Sequence, residues 1–293
     1  MLLRRSWVIG VALAGVACAR QDRRASKPLY DDLGHAIAQA APARRIVSLS
    51  PSITALLFAL GAGPHVVGRT RWGDYPPAAN AVPSVGDGIN PNIELVLARH
   101  PDLVVFYASA ANQGAMVRLR SAGIANAAVT LDRLNDVPHA AWLLGRLTGT
   151  ARRADSLAEW FHQALDSAQH ALPPAARSAV VVVWGDPPVV IGAGSFLTDL
   201  LALAGVRNVF DDVMAPSAPS SLEAITARDP DLLFVLGETV PAGLAGPQWR
   251  AVRAVRTHRV VTLSGSEFEY PSLRALTAVR EIDAAIARAG SVP

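Results

Sequence analysis

The chain has a single cysteine, Cys18, in 293 residues, so no disulfide can form within it. Charge is sparse as well. Charged residues make up 17%, against 51% hydrophobic, which excludes a disordered polyampholyte and leaves material for two cores. The net charge is only +3, and the arginines are scattered without interleaved aromatics, so a nucleic-acid groove is not expected. The seven histidines (35, 65, 100, 139, 162, 170 and 258) lack ligand spacing, which argues against a zinc or manganese site. Nucleotide and hydrolase signatures are absent too. There is no Gly-x-x-x-x-Gly-Lys-Ser loop and no Gly-x-Ser-x-Gly elbow, and Gly192-x-Gly194 lacks the third glycine of a dinucleotide fingerprint. No catalytic residue, metal or cofactor is assigned.

Long apolar runs are missing except at the start. Residues 1–18 place Arg4-Arg5 before an apolar run from Trp7 to Ala17, shorter than the roughly 20 residues needed to span a bilayer. This reads as an export signal. Cys18 after Gly15-Val16-Ala17 resembles a bacterial lipoprotein signal, which implies lipidation of Cys18 and anchoring at the periplasmic or outer face of a membrane. Gly15 departs from that pattern, which favours leucine there. The arginine pair leaves the twin-arginine route open beside the general one. Residues 19–43, polar and Ala-rich with Pro28 and Pro42, read as a tether.

What the chain does contain is a repeat. IELVLARHPDLVVF at 93–106 returns as LEAITARDPDLLFV at 222–235, with Glu94 matching Glu223 at an offset of 129 residues. Solenoid periods run about 20 to 50 residues, so this spacing indicates two similar domains. Each copy predicts a short helix, a Pro-Asp turn and a buried strand.

The surrounding pattern agrees. Arg45–Ser50 reads as a strand, Ile53–Leu60 as a helix stopped by Gly61, and Val66–Gly68 as a second strand. A helix follows near Ala115–Ala122 and a strand near Ala127–Leu131. Residues 136–174 show only helical spacing, with one apolar stripe of Leu157, Trp160, Phe161, Ala164, Leu165 and Ala168. Strand character resumes at Ala179–Trp184, then a helix over Phe196–Leu203, a strand over Val260–Leu263 and a terminal helix from Ser272 to Ala289. The expectation is an α/β protein: a Rossmann-like lobe over 44–135, a helical connector over 136–174, a second lobe over 175–293, and a ligand cleft between them.

The ordered set Arg45-Ile46-Val47-Ser48-Leu49-Ser50-Pro51-Ser52, Asp74-Tyr75-Pro76-Pro77 and Asn90-to-Val105 resembles the periplasmic binding proteins of ABC importers for cobalamin, iron-siderophores and haem. It is most similar to the cobalamin-binding type, over roughly residues 44–290. The resemblance implies two lobes joined by one rigid helix, a monomer that captures cobalamin or a related corrinoid, and delivery to a permease dimer with ATPase subunits. It also implies that Glu94 and Glu223, one per lobe, pair with permease arginines. First-turn acids favoured by a helix dipole are the plainer account of both.

Ligand contacts belong in loops at the carboxyl ends of strands. In the first lobe these are Trp72, Tyr75, Asp87 and Tyr107; in the second, Trp184, Glu238, Phe268 and Tyr270. Their aromatic share suits a large flat ligand such as a corrin ring. The cobalamin type has Trp near Gly86–Gly88 and Tyr107, where this chain does not. Haem, with Tyr107 or Tyr270 on iron, and a ferric siderophore, held by Arg69, Arg71 or Arg274, stay open. A secreted α/β hydrolase, using Ser195 or the serines of Ser264-Gly265-Ser266, is the reading from another class.

Overall fold

The computed structural model describes residues 28–39, 41–170, 177–183 and 187–290. Cys18, the export signal and Trp184 lie outside them.

Two separate sheets divide the chain. The first is parallel, in the order β2-β1-β3-β4, built from β1 (Ile46–Leu49), β2 (Val66–Arg69), β3 (Leu103–Tyr107) and β4 (Ala125–Val129). Crossovers run through α1 (Pro51–Ala59), α2 (Ile93–Leu97) and α3 (Gln113–Ser121). Proline at the start of α1 costs no hydrogen bond there. The predicted stop at Gly61 adopts φ +79°, the left-handed conformation that glycine takes without strain.

After this lobe come α4 (Val137–Thr148) and α5 (Ala151–His170). Gly149, at φ +74°, turns the chain between them. The two helices approach closely because Gly145 faces Ala154, where a Cβ on Gly145 would collide. At 20 residues, α5 is about 30 Å long. Its buried stripe is Ala154, Phe161 and Leu165, with Leu157 and Ala168 packed against the core. Trp160 is a correction: it is 52% exposed, one position off the buried face.

The second sheet follows the order β10-β9-β5-β6-β8, with β7 also paired to β5. Its strands are β5 (Arg177–Val183), β6 (Val189–Ile191), β7 (Val206–Asn208), β8 (Ser217–Pro219), β9 (Leu232–Leu236) and β10 (Val260–Leu263). Its helices are α6 (Phe196–Leu203), α7 (Leu222–Arg228), α8 (Arg253–Arg256) and α9 (Ala275–Gly290). β6 and β8 run antiparallel at one edge. They are three residues each, too short to show a period in sequence. Gly192 and Gly194 serve this edge. A Cβ on either would strike the backbone of Val213–Pro216, so the pair permits close backbone approach rather than phosphate binding.

The tether expected over 19–43 is corrected where it is described. Asp31 and Asp32 run along the free edge of β4. Asp32 N–H donates to the Ala128 carbonyl at 3.0 Å, and the two carboxylates accept from Ala128 N–H at 3.1 Å and Thr130 N–H at 2.6 Å. Ile37 and Ala43 are buried in the core. Residues 28–39 therefore cover an edge that would otherwise be open to pairing. Polar side chains do this work, so no hydrophobic period announced it.

One apolar core runs through both lobes. Ile46, Leu103 and Val129 of the first sheet connect through Leu143, Leu144, Phe161 and Leu165 to Ala179, Val181 and Phe234 of the second, and to Ile282 of α9. The lobes also clasp directly. Arg133 forms a forked ion pair with Asp199 of α6, Phe196 N–H donates to the Asp132 carbonyl at 2.6 Å, and the Arg274 guanidinium lies 5.0 Å from the Tyr75 ring centre.

Candidate functional site

The parallel strands of both sheets aim their carboxyl ends at the seam between the lobes. Three joined hollows lie there, of about 400 Å³ on the first lobe, 530 Å³ at the seam and 580 Å³ on the second lobe. The first two share Ser50, Pro51, Trp72 and Tyr107; the last two share Ser195, Phe196, Pro216 and Glu269. They form one continuous cleft.

Six of the sequence candidates line it. Trp72 is 62% exposed on the first-lobe wall, with the Arg71 guanidinium 5.9 Å from its ring centre. Asp87 pairs with Arg71 at 2.7 Å. Tyr107, the last residue of β3, donates its hydroxyl to Asp132 at 2.6 Å. Burial, then the bond to that carboxylate, pushes the Tyr107 phenol far above its ordinary pKa. On the other wall Glu238 is exposed after β9, and Phe268 and Tyr270 are buried with surfaces on the cleft. Burial pushes the Tyr270 phenol up to about 12.

Tyr75 is set apart. It lines a neighbouring apolar hollow of about 240 Å³ between α1 and Pro271–Leu273, held under Arg274. The aromatic thus works in the lobe–lobe clasp. Arg274 itself is occupied, with its guanidinium 2.6 Å from the buried Glu267 carboxylate. Arg69 is likewise buried and donates to the carbonyls of Ala79 and Thr70. Neither arginine lines the cleft.

Two acids went unnoticed in the sequence. Asp132 lies in the loop after β4, and Glu269 stands between Phe268 and Tyr270. The Glu269 and Glu238 carboxylates have no ion-pair or hydrogen-bond partner among the described residues, though Glu269 N–H donates to the Ser266 carbonyl at 3.4 Å. The serine chemistry does not assemble. Ser195 caps α6, accepting from Leu197 N–H at 3.2 Å, and no histidine lies among the described residues of the cleft. Among the described residues no three His, Cys, Asp or Glu side chains come together to hold a metal ion, and no helix is long and apolar enough to cross a membrane.

Glu94 and Glu223 are both exposed, in the first turns of α2 and α7. Each helix runs back toward the start of the next parallel strand, so its amino end is at the cleft end of its lobe. Asn92 and Ser221 cap the two helices from the same register. The Glu223 carboxyl is held below the usual glutamate value by its own backbone N–H and then by the Ser221 hydroxyl.

A family model described as periplasmic binding protein matches residues 46–266. The vitamin B12-binding protein of Pectobacterium atrosepticum is 26% identical over 256 residues, 85% of this chain and 91% of that one. The uncharacterized ABC transporter substrate-binding lipoprotein YvrC of Bacillus subtilis is 30% identical over 226 residues, 74% of this chain and 71% of that one. Among solved structures, the periplasmic heme-binding protein RhuT from Roseiflexus sp. RS-1 superposes with a TM-score of 0.73 at 24% identity, covering 85% of this chain and 99% of that one. This last likeness concerns the fold.

Proposed function

The chain belongs to the periplasmic binding protein family, and from that premise we propose that it is the extracytoplasmic capture component of an ABC importer for cobalamin or a related corrinoid. One observation carries the ligand reading: a wide seam cleft faced by Trp72 and Tyr107 on one wall and Phe196, Phe268 and Tyr270 on the other. Opposed aromatic and apolar faces suit a broad ring that is partly apolar. The polar rim of Asp132, Glu238 and Glu269 offers acceptors to carboxamide N–H groups at a corrin periphery.

Haem is less well served. Of the two tyrosines that could reach iron, Tyr107 already commits its hydroxyl to Asp132 at 2.6 Å, and Tyr270 is buried. The shared core and the clasps at Arg133–Asp199 and Tyr75–Arg274 support a pre-organised cleft, which lowers the ordering cost of capture.

Delivery is assigned to Glu94 and Glu223. A permease dimer presents the same cationic pocket twice, and one carboxylate per lobe answers it with charge-assisted bonds that also fix orientation. Lipidation of Cys18 would hold the protein at the membrane face where that permease sits.

The ligand reading is tested by titrating the folded protein with cyanocobalamin, cobinamide, haemin and ferric siderophores while following tryptophan fluorescence. Trp72, exposed in the cleft, is the reporter. Quenching by a corrinoid with a saturable isotherm is expected. If no corrinoid quenches or raises the melting temperature, the reading is wrong.

A further inference from the structure

The cleft differs from the rest of the molecule in charge. The whole chain is net positive, +3. The described residues lining the three hollows include four acids and no lysine, arginine or histidine. The four acids are not alike. Asp87 is compensated by Arg71 at 2.7 Å, and Asp132 accepts the Tyr107 hydroxyl at 2.6 Å. Both belong to the first-lobe side and are already partnered. Glu238 and Glu269 stand on the second-lobe side with carboxylates that have no partner among the described residues, and both line the same hollow. On that side Arg274 is engaged by Glu267 and Ser266.

Uncompensated carboxylates in a recess act on any charge brought into it. The low-dielectric walls weaken solvent screening, so the field there exceeds that of the same charges on a convex surface. A bound anion would meet repulsion, and it would also lose its water without gaining a cationic partner. A ligand with a positive metal centre and neutral amide arms meets neither cost.

We propose that Glu238 and Glu269 make the cleft select corrinoids that carry net positive charge and lack the phosphodiester-linked lower base, over phosphate-bearing cobalamin and over tetrapyrroles with free carboxylates. This rests on the corrinoid reading above and narrows it. Cyanocobalamin carries a phosphodiester anion on its lower-base tail. Aquacyanocobinamide lacks that phosphate and has a net positive charge. The two share the corrin ring and most of the amides, so their comparison isolates the tail and its charge.

The test is calorimetric titration with both corrinoids and with haemin, at low and at 0.5 M salt, on the wild type and on Glu238→Gln, Glu269→Gln and the double variant. Glutamine keeps size and hydrogen bonding, so folding should be retained; the melting curve of each variant checks this. Asp155→Asn, on α5 away from the cleft, is the control for overall charge. The expected result is cobinamide binding about 10-fold tighter than cyanocobalamin at low salt, with the ratio shrinking at high salt as charges are screened. The double Gln variant should bring the ratio to within about 2-fold, and Asp155→Asn should leave it unchanged. Equal affinities in the wild type, or a preference that survives the double variant, overturn the charge filter and leave the corrinoid reading standing. Binding of haemin with no binding of either corrinoid removes both.

Discussion

Residues 93–106 and 222–235 pass through the same events in the two lobes. A polar side chain, Asn92 or Ser221, caps a short helix. After the helix a non-glycine residue turns left-handed, His100 at φ +48°, three residues past α2, or Asp229 at φ +45°, the C-cap of α7. An aspartate then latches the neighbouring strand. Asp102 accepts from the N–H groups of Arg44 and Arg45 at 2.8 and 3.0 Å, and Asp231 accepts from Ser178 N–H at 2.9 Å. A guanidinium closes each helix end, but it comes from different places. In the first lobe Arg45 donates to the carbonyls of Arg99 and His100; in the second, Arg253 of α8 donates to the Asp229 carbonyl and pairs with Asp231 at 2.9 Å. The lesson is that the backbone's demands fix the repeat, whereas the cation meeting them can come from any element within reach. At the cleft ends the likeness stops. The register that holds Tyr107 in the first lobe holds Leu236 in the second, followed by Gly237 and Glu238.

The strongest way to break this comparison is at the glutamates, because nothing in the helix frame requires an acid there beyond a modest dipole preference. Reversing both, Glu94→Lys with Glu223→Lys, is expected to reduce corrinoid uptake in a reconstituted or cellular assay to background. Affinity in the same protein should stay within about 2-fold, since neither residue lines the cleft. Each single reversal should retain part of the uptake, and similar losses would mean the lobes dock equivalently. Wild-type uptake by the double variant would return both residues to simple first-turn acids.

A smaller effect is expected at the aspartate latch. Asp231 is the more enclosed, with its side chain 24% exposed, and it holds both Ser178 groups and Arg253. Asp231→Ala should cost about 1.5–3 kcal/mol in urea unfolding, the range for hydrogen bonds to a charged group. Asp102→Ala, at a more exposed site, should cost less. Acid sharpens the point. Burial alone would raise the Asp231 pKa, but hydrogen bonds from Ser178 and the charges of Arg253 and Arg259 outweigh it and leave the value below the ordinary 3.8. A carboxyl depressed on folding stabilises above its unfolded pKa and loses that contribution as pH falls through the folded one. The stability gap between wild type and Asp231→Asn should therefore hold steady above pH ~5 and narrow below the ordinary aspartate value. A gap that widens in acid would contradict the latch.

These same residues show what could be read in advance. The latch, the helix stops and the core strands follow from residue types whose local physics is strong: proline and aspartate at a turn, glycine at positive φ, β-branched runs in a parallel sheet. The repeat was legible because two lobes solve one backbone problem twice. The edge strap at Asp31 and Asp32 was not, since it uses polar contacts to residues nearly 100 positions away. For the cleft, positions after strand ends are informative: four aromatics (Trp72, Tyr107, Phe268, Tyr270) and two acids (Asp87, Glu238) line the hollows. Tyr75 shows the limit: a loop position at a strand's carboxyl end does not say on which side of Pro271 a ring will fall. Glu269 sits between Phe268 and Tyr270, and nothing in the local pattern separates an acid facing the cleft from one facing solvent.

The finest test lies where the two registers diverge. Tyr107→Phe removes only the hydroxyl that bonds Asp132, while Leu236, its counterpart by position, has no polar group to remove. Because Asp132 lines the cleft and can take water in place of the phenol, the loss should be small, about 0.5–1.5 kcal/mol, with a melting temperature lower by a few degrees. Ligand affinity carries the more telling readout. If the phenol's role is to hold Asp132 aimed along the first-lobe wall, Tyr107→Phe should weaken corrinoid binding by about 3-fold, mostly through faster dissociation. Leu236→Val, which trims the second wall without touching a hydrogen bond, should change affinity by less than that. Equal effects from both would mean that the two strand ends serve only as apolar surface, and that the polar Tyr107–Asp132 pair adds nothing to recognition.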